Sequence, residues 1–212
     1  VGGVNFDIDE KMAEKIVTML EGVAKTVDRT TKVMLKAPSC ISRMERTGVV
    51  SQDTAKSLGA VGMAARSSGV DIDSRFDFND KWYTSLDVVK PFKATGDVHS
   101  RFKLRYKEIK QSMQIVKKLL AKLKEYKAEP LKVTPNKNLA PNSFVVSMTE
   151  GWRGEVVHIG VTGANGELLR YKMKDPSFTN WYALAMAVRN NGVSDFPLCN
   201  KSFNLSYCGN DL

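Results

Sequence analysis

Two stretches of this chain carry apolar residues at helical spacing for about thirty residues each, and a chain that must cover two such faces is committed to a mainly helical architecture. From Asp9 to about Lys36, the residues Met12, Ile16, Met19, Val23, Val27 and Met34 fall on one stripe, and Pro38 with Ser39 marks the end. From Asp97 to about Lys127, the residues Val98, Phe102, Ile109, Met113, Val116, Leu120 and Leu123 share a second stripe, expected to face the core. Opposite it lie Lys103, Lys107, Lys110, Gln114, Lys117, Lys118 and Lys122. These lysines carry a visible part of the net charge of +9. They read as the solvated back of a helix, because no aromatic or glycine partners are interleaved with them as a nucleic-acid face would require.

A third row on the same helix is of another kind. Arg101, Arg105, Glu108 and Ser112 follow one another at helical spacing along the edge of the apolar stripe. Arginine's planar fork suits buried ion pairs, whereas lysine is a solvated point charge. The row is therefore expected to be partly buried against another element, with Glu108 paired to one of the row's arginines.

Between the long helices, Cys40 to Ala65 reads as short helices, with Ser51 a cap before Ala55, and residues 66–96 read as irregular. Residues 129–143 hold three of the seven prolines and read as a linker. Beyond it, Gly154 to Val161 and Leu168 to Lys174 alternate around Asn165-Gly166, a hairpin signal. Asp175-Pro176 then starts a helix carrying Trp181, Leu184, Ala185 and Val188. The expected organisation is a helical part over 1–128, a linker over 129–143, and a hairpin, short helix and terminal segment over 144–212, forming one domain. The fold class is mainly α with a small antiparallel β-hairpin.

The hydrophobic share of 42% against 26% charged residues excludes wholesale disorder. No run approaches the length of a membrane-spanning helix and no secretory leader is visible. Three widely spaced cysteines, Cys40, Cys199 and Cys208, do not form a disulfide framework and suit the cytoplasm. His99 and His158 have no Cys or carboxylate at ligand spacing. Cys208, beside Tyr207, is a weak metal-ligand candidate and reads rather as a packed small hydrophobe. For Arg153, between Trp152 and Gly154 at the mouth of the hairpin, two readings stand: a guanidinium aimed at a site, or a surface arginine stacked on Trp152.

Five strings, in order and over nearly the whole chain, resemble one family. Arg66-Ser67-Ser68-Gly69 through Asp71, Asp73 and Arg75 resembles an Arg-x-Ser-Gly element of the large, catalytic subunit of membrane-associated nickel–iron hydrogenases of the formate hydrogenlyase type. The related 49-kilodalton component of NADH:quinone oxidoreductase shares it. Gly96-Asp97 with Arg101, Arg105, Glu108 and Ser112 resembles the helix that follows there. Glu150-Gly151-Trp152-Arg153-Gly154-Glu155 resembles a Glu-x-Pro-Arg-Gly-Glu turn, with Trp152 in place of proline. Pro176-Ser177-Phe178 with Asn180, and Asp195-Phe196-Pro197 with Ser202-Phe203, resemble the last two.

The resemblance implies a nickel–iron hydrogenase large-subunit-like helical fold, of which this chain is the C-terminal portion, truncated at its N-terminus. It makes Arg66 and Arg153 the candidate catalytic residues and Asp71, Arg75, Arg101, Arg105 and Glu108 a buried polar network; an ion-pair network that only pins a loop is the other reading of Arg66, Asp71 and Arg75. In the hydrogenases a terminal Asp-Pro-Cys-x-x-Cys supplies two thiolates to the nickel–iron centre. Here the stretch reads Asn204-Leu205-Ser206-Tyr207-Cys208-Gly209, with Ser206 and Gly209 at the ligand positions and Cys208 one residue out of register. Soft sulfur suits that centre and a hydroxyl does not. No cofactor is therefore expected in this chain, although active family members hold nickel and iron. The implied function is that of a subunit in a hydrogenase-like or NADH:quinone oxidoreductase-like electron-transfer complex, linked to NAD and quinone chemistry. The implied partners are an iron–sulfur small subunit and integral membrane subunits that move protons or sodium, with the chain peripheral on the cytoplasmic face and no nucleic acid bound. The alternatives are a catalytically inactive scaffold and a basic nucleic-acid-binding domain.

Overall fold

Helix α1 (Glu10–Lys36) starts where the Asp9 carboxylate accepts from Met12 N at 2.7 Å, and ends at Ala37, whose N–H closes on Val33 O and Met34 O. Pro38 both stops α1 and opens α2 (Pro38–Met44), since its missing N–H is tolerated in a first turn. In this computed structural model, which describes residues 3–78, 83, 85–86, 88–91, 93–123, 125, 130–134 and 138–208, three short helices follow. They are α3 (Gln52–Ser57), capped by Ser51, then α4 (Gly62–Ser67) and α5 (Ser74–Asp77). The second long helix, α6 (Val98–Leu123), begins where Asp97 Oδ1 accepts from Ser100 N at 2.8 Å. The expected continuation of this helix to Lys127 falls mostly outside the described residues.

Three strands form one antiparallel sheet in the order β1 (Phe144–Gly151), β2 (Gly154–Thr162), β3 (Leu168–Lys174). The β2–β3 hairpin turns through Asn165 and Gly166, the latter at φ +77°. Strand β1 is a correction to the two-stranded hairpin. Its register, Gly151 opposite Gly154 and Ser147 opposite His158, puts Trp152 and Arg153 on the tight β1–β2 turn, not at the mouth of the β2–β3 hairpin. Helix α7 (Pro176–Ala187), a short 3-10 turn (Val193–Asp195) and α8 (Phe196–Phe203) complete the order.

The core gathers small side chains at helix crossings: Ala55, Ala64, Ala65, Ala183 and Ala187 pack with Val50, Val98, Leu184, Cys199 and Phe203. The first turns of α6 therefore meet α2, α4 and α8 closely. Farther along, the apolar stripe of α6 is not core throughout. Val98 and Leu120 are buried, as is Leu104, which lies off the expected stripe; Ile109 and Met113 are half-buried, and Val116 and Leu123 are exposed. The stripe of α1 is also rotated from the expected one. Met12, Met19 and Val23 are exposed, whereas Ala13, Ile16, Leu20, Ala24 and Val27 turn inward, because α1 meets α6 through the pairs Glu21–Lys117 (2.8 Å) and Asp28–Lys110 (3.7 Å).

The sheet is held to the helices where two glycines meet. A Cβ on Gly62, at φ +63°, would fall on Gly154 Cα and within 2.5 Å of Arg153 O, so only hydrogen fits between α4 and the β1–β2 turn. Asn180 of α7, fully buried, locks the same junction: its Oδ1 accepts from Val61 N at 3.1 Å, and its Nδ2 donates to Val61 O at 3.2 Å and Arg153 O at 3.3 Å.

A paired substitution separates this contact from backbone conformation. Gly59 has nearly the same φ, +64°, with open space where a Cβ would go. Gly59→Ala is expected to cost about 1 kcal/mol and Gly62→Ala about 3 kcal/mol in urea unfolding, the difference being the steric contact with the turn. Equal losses would show that the junction yields.

Candidate functional site

The most concentrated chemistry in the molecule surrounds the Arg66 guanidinium, buried at the end of α4 with 2% of its side chain exposed. Its Nη1 meets Glu150 Oε1 at 2.8 Å and Asp73 Oδ2 at 3.2 Å, and its Nη2 meets Glu108 Oε1 at 2.6 Å. The three acids come from β1, from the cap of α5 and from α6, so one side chain ties four elements. Burial opposes the charge of Arg66, but Glu108, Glu150 and Asp73 together raise its pKa. Asp73, fully buried, takes a second, bidentate arginine: Arg75 Nε reaches Oδ1 at 2.9 Å and Nη2 reaches Oδ2 at 2.6 Å. Burial would raise the Asp73 pKa, yet Arg75 and Arg66 hold it below the usual carboxylate value. Glu150 Oε2 also accepts from Ser74 N at 3.1 Å. Two buried polar atoms of the cluster, Arg66 Nε and Ser74 Oγ, have no partner among the described residues.

A second set of arginines acts on the end of α8. Arg101, fully buried, meets no carboxylate among the described residues; it donates to Gly48 O (2.8 Å), Gly96 O (2.7 Å) and Ser202 Oγ (2.8 Å) and lies 4.2 Å over the Phe203 ring. Burial pulls its pKa down to about 9, which still leaves it protonated at neutral pH. Arg105 donates to Ser202 O at 3.0 Å and Phe203 O at 3.4 Å, and Arg153 donates to Asn204 O at 2.6 Å. Three consecutive carbonyls at the end of a helix, where partial negative charge accumulates, are thus taken by two guanidinium groups. Beyond this point, Asn204 adopts a left-handed conformation (φ 53°) and the chain runs past α7, where Ser206 N donates to Ser177 Oγ (3.1 Å) and Trp181 Nε1 donates to Ser206 O (2.9 Å).

Trp152 lies between Arg105 and Arg153, their guanidinium carbons 5.2 Å and 4.9 Å from its ring. Arg105 and Trp152 border two cavities. One, of about 480 Å³, has Arg66, Arg75, Glu108 and Glu150 on its polar side and Leu20, Ile109, Met113 and Val116 on its apolar side. The other, of about 370 Å³, is mostly apolar, with Met34, Met44, Val98, Phe102 and Leu198.

The structure brings Arg66, Arg75, Arg105 and Glu108 to the first cavity and Arg153 to its edge, through Trp152. Three expectations need correction. Asp71 is outside the network: its side chain is 73% exposed and pairs with Lys90 at 3.0 Å, while Asp73, whose carboxylate turns inward, takes the buried place. Glu108 pairs with Arg66 and with no arginine of its own row, because Arg101 and Arg105 point to the end of α8. Cys208 is exposed, not packed, with its Sγ 3.2 Å from Ser206 Oγ. Gly209 lies outside the described residues. Among those described, no group of three or more His, Cys, Asp or Glu side chains is placed to hold a metal ion. Glu150, Asn180 and Ser177 stand in the sequence only as letters in strings; their roles require knowing what lies across from them.

Known proteins place the chain. The family model for the respiratory-chain NADH dehydrogenase 49 Kd subunit matches residues 1–211, and the chain belongs to that family. Among curated relatives, the membrane-bound hydrogenase subunit alpha of Pyrococcus furiosus is 31% identical over 92% of this chain and 48% of its own length. A subunit of the NADH-quinone oxidoreductase of Akkermansia muciniphila is 27% identical over 96% of this chain and 55% of its own. The chain thus spans about half the length of these relatives. A solved structure of the membrane-bound sulfane sulfur reductase, an archaeal respiratory membrane complex, contains a chain with the same fold: TM-score 0.84, 24% identity, covering 97% of this chain and 57% of that one.

The Arg66 cluster gives a pH test with opposite signs. In the native protein the lowered pKa of Asp73 contributes stability that is present above its unfolded value and lost as pH falls through its folded value. Arg66→Met removes one of the two cations that hold Asp73 ionised and leaves three buried or half-buried carboxylates around Arg75 alone, so the variant is expected to lose stability relative to the native protein as pH rises from about 5 to 8. Its deficit at about pH 8 should be about 3 to 5 kcal/mol. Urea midpoints at both pH values check this; parallel behaviour of the two proteins would contradict it.

Proposed function

We propose that this chain is a subunit of a membrane-associated electron-transfer complex of the hydrogenase-like and NADH:quinone oxidoreductase-like kind, working beside an iron–sulfur protein and next to membrane subunits that couple electron flow to ion movement. The observation that carries the reading is the family match over residues 1–211. The site supports it. A cavity walled on one side by a charged cluster and on the other by aliphatic side chains suits an amphiphilic redox substrate of the quinone class better than a fully polar one. No described helix is long and apolar enough to cross a membrane, so membrane association is assigned to contacts with other subunits.

Within this reading, the residues of this chain do not fit a nickel–iron centre. The terminal segment offers the Ser206 hydroxyl and the single exposed thiol of Cys208, and a centre that needs several soft thiolates finds too few of them here. The chemistry assigned to this part of the subunit is therefore positioning. Arg105 and Arg153 hold the carbonyls of residues 202 to 204, Ser177 holds Ser206, and the Arg66 cluster fixes the charge on the cavity wall. Arg153, bonded to Asn204 O and stacked on Trp152, links the terminal segment to the cavity border.

The test is purification from native membranes. The chain should come out with an iron–sulfur polypeptide and hydrogen- or NADH-linked electron transfer; a solitary, cofactor-free protein would refute the assignment. In that complex Arg153→Ala should lower turnover about tenfold or more with subunit composition unchanged, because it releases the terminal segment from the cavity border. Unchanged turnover would instead favour the scaffold reading.

A further inference from the structure

The lysines on the back of α6 are not equivalent. Those that face α1 meet carboxylates: Lys117 reaches Glu21 at 2.8 Å, and Lys110 lies 3.7 Å from Asp28. Lys118 donates to Leu86 O at 2.9 Å. Lys103 and Lys107 meet no carboxylate among the described residues. Neither does Lys93, in the segment that leads into α6. These three, with Lys90 and Lys110, surround a trough of about 870 Å³ in which Leu35, Pro91 and Tyr106 supply apolar surface. Among the described residues no acidic side chain lines it. Lys90 is already neutralised by Asp71 (3.0 Å) and Asp77 (3.1 Å), so the uncompensated charge lies on Lys93, Lys103 and Lys107.

We propose that this trough is a docking surface for an acidic, amphipathic segment of a neighbouring protein subunit, its carboxylates meeting Lys93, Lys103 and Lys107 and an apolar residue meeting Leu35, Pro91 and Tyr106. The proposal rests on the assignment of the chain to a multisubunit complex. Charge complementarity selects the sign of the partner and sets its register. Concavity selects a chain segment over a lipid surface, since a flat array of headgroups cannot enter a trough. The described lining also argues against nucleic acid: it holds no arginine, and the hydroxyl of Tyr106, the aromatic ring among its described residues, is tied to Asp28.

In the complex isolated from its membranes, acetylation of lysines read by mass spectrometry should leave Lys103 and Lys107 about tenfold less modified than exposed Lys56, once each is normalised to the urea-unfolded sample. Carbodiimide should join Lys103 or Lys107 to an Asp or Glu of another polypeptide. The double variant K103E/K107E should weaken retention of that polypeptide about tenfold in a salt-dependent manner, without changing the thermal unfolding of the chain. Acetylation equal to that of Lys56 would overturn the proposal, as would protection that vanishes on delipidation and returns with phosphatidylglycerol vesicles, or cross-linking to RNA alone. If an iron–sulfur polypeptide copurifies while the lysines react freely, the docking surface fails and the functional assignment stands. A solitary chain refutes both.

Discussion

One buried guanidinium organises this fold. Arg66 reaches acids from the cap of α5, from α6 and from β1, and without it three carboxylates would be left in a poorly solvated site with Arg75, bound to Asp73, as the remaining cation described there. Burying charge is costly, and a buried ion pair replaced by apolar groups of similar shape is often no less stable. The cluster is therefore better understood as specification than as a store of stability. It admits one arrangement of β1 against α4 and α6, because each carboxylate must find the same cation. The two glycines at the neighbouring junction serve the same end sterically, since Gly62 and Gly154 allow the turn to approach until Asn180 can bond both sides of the gap. Charge sets which elements meet and the absence of side chains sets how closely.

The arginines around α8 solve a different problem. A helix end inside a protein leaves carbonyls that water cannot reach, and unsatisfied acceptors of that kind each cost about 1 to 3 kcal/mol. Arg105 and Arg153 satisfy those of residues 202 to 204, while Arg101 is itself satisfied by two carbonyls and a hydroxyl in place of an acid. A guanidinium is suited to this because its donors point in fixed directions and its face can stack, as on Phe203 and Trp152. The terminal segment that follows is thereby fixed from three sides: by arginines, by Ser177 and by Trp181.

What could be read from the sequence depended on whether a residue's partner was local. The first long helix, the start of the second, the Ser51 cap, the Asn165-Gly166 turn and the Asp175-Pro176 start are set by neighbours a few positions away, and each is where the spacing placed it. The arginine row was recognisable as unlike the lysines, yet its partners were not. Glu108 faces Arg66, 42 positions away, and nothing along α6 distinguishes that donor from Arg105 one turn earlier. Asp73 and Asp71 share a residue type and differ only in the direction the backbone turns them. Strand β1 escaped because Phe144, Val145 and Val146 form a consecutive apolar run, exposed at 69%, 60% and 43%, so alternation was absent where the strand begins.

The same distinction explains why the two ends of α6 behave differently. Near Val98 the helix is wedged among α2, α4 and α8, with Arg101 and Leu104 fully buried. Toward Leu123 it lies along α1, which meets it through Glu21 with Lys117 and Asp28 with Tyr106 and Lys110, while just one residue of α1, Thr31, is buried. Exposed ion pairs contribute little each and are screened by salt, whereas the Arg66 cluster is shielded from it. The molecule thus has one half held by guanidinium groups and close helix packing, and another in which two long helices meet through solvated charge. On that second half Met19 and Val23 of α1 and Val116 and Leu119 of α6 stay open to solvent, while Ile16, Leu20 and Val27 of α1 turn inward beside the polar pairs.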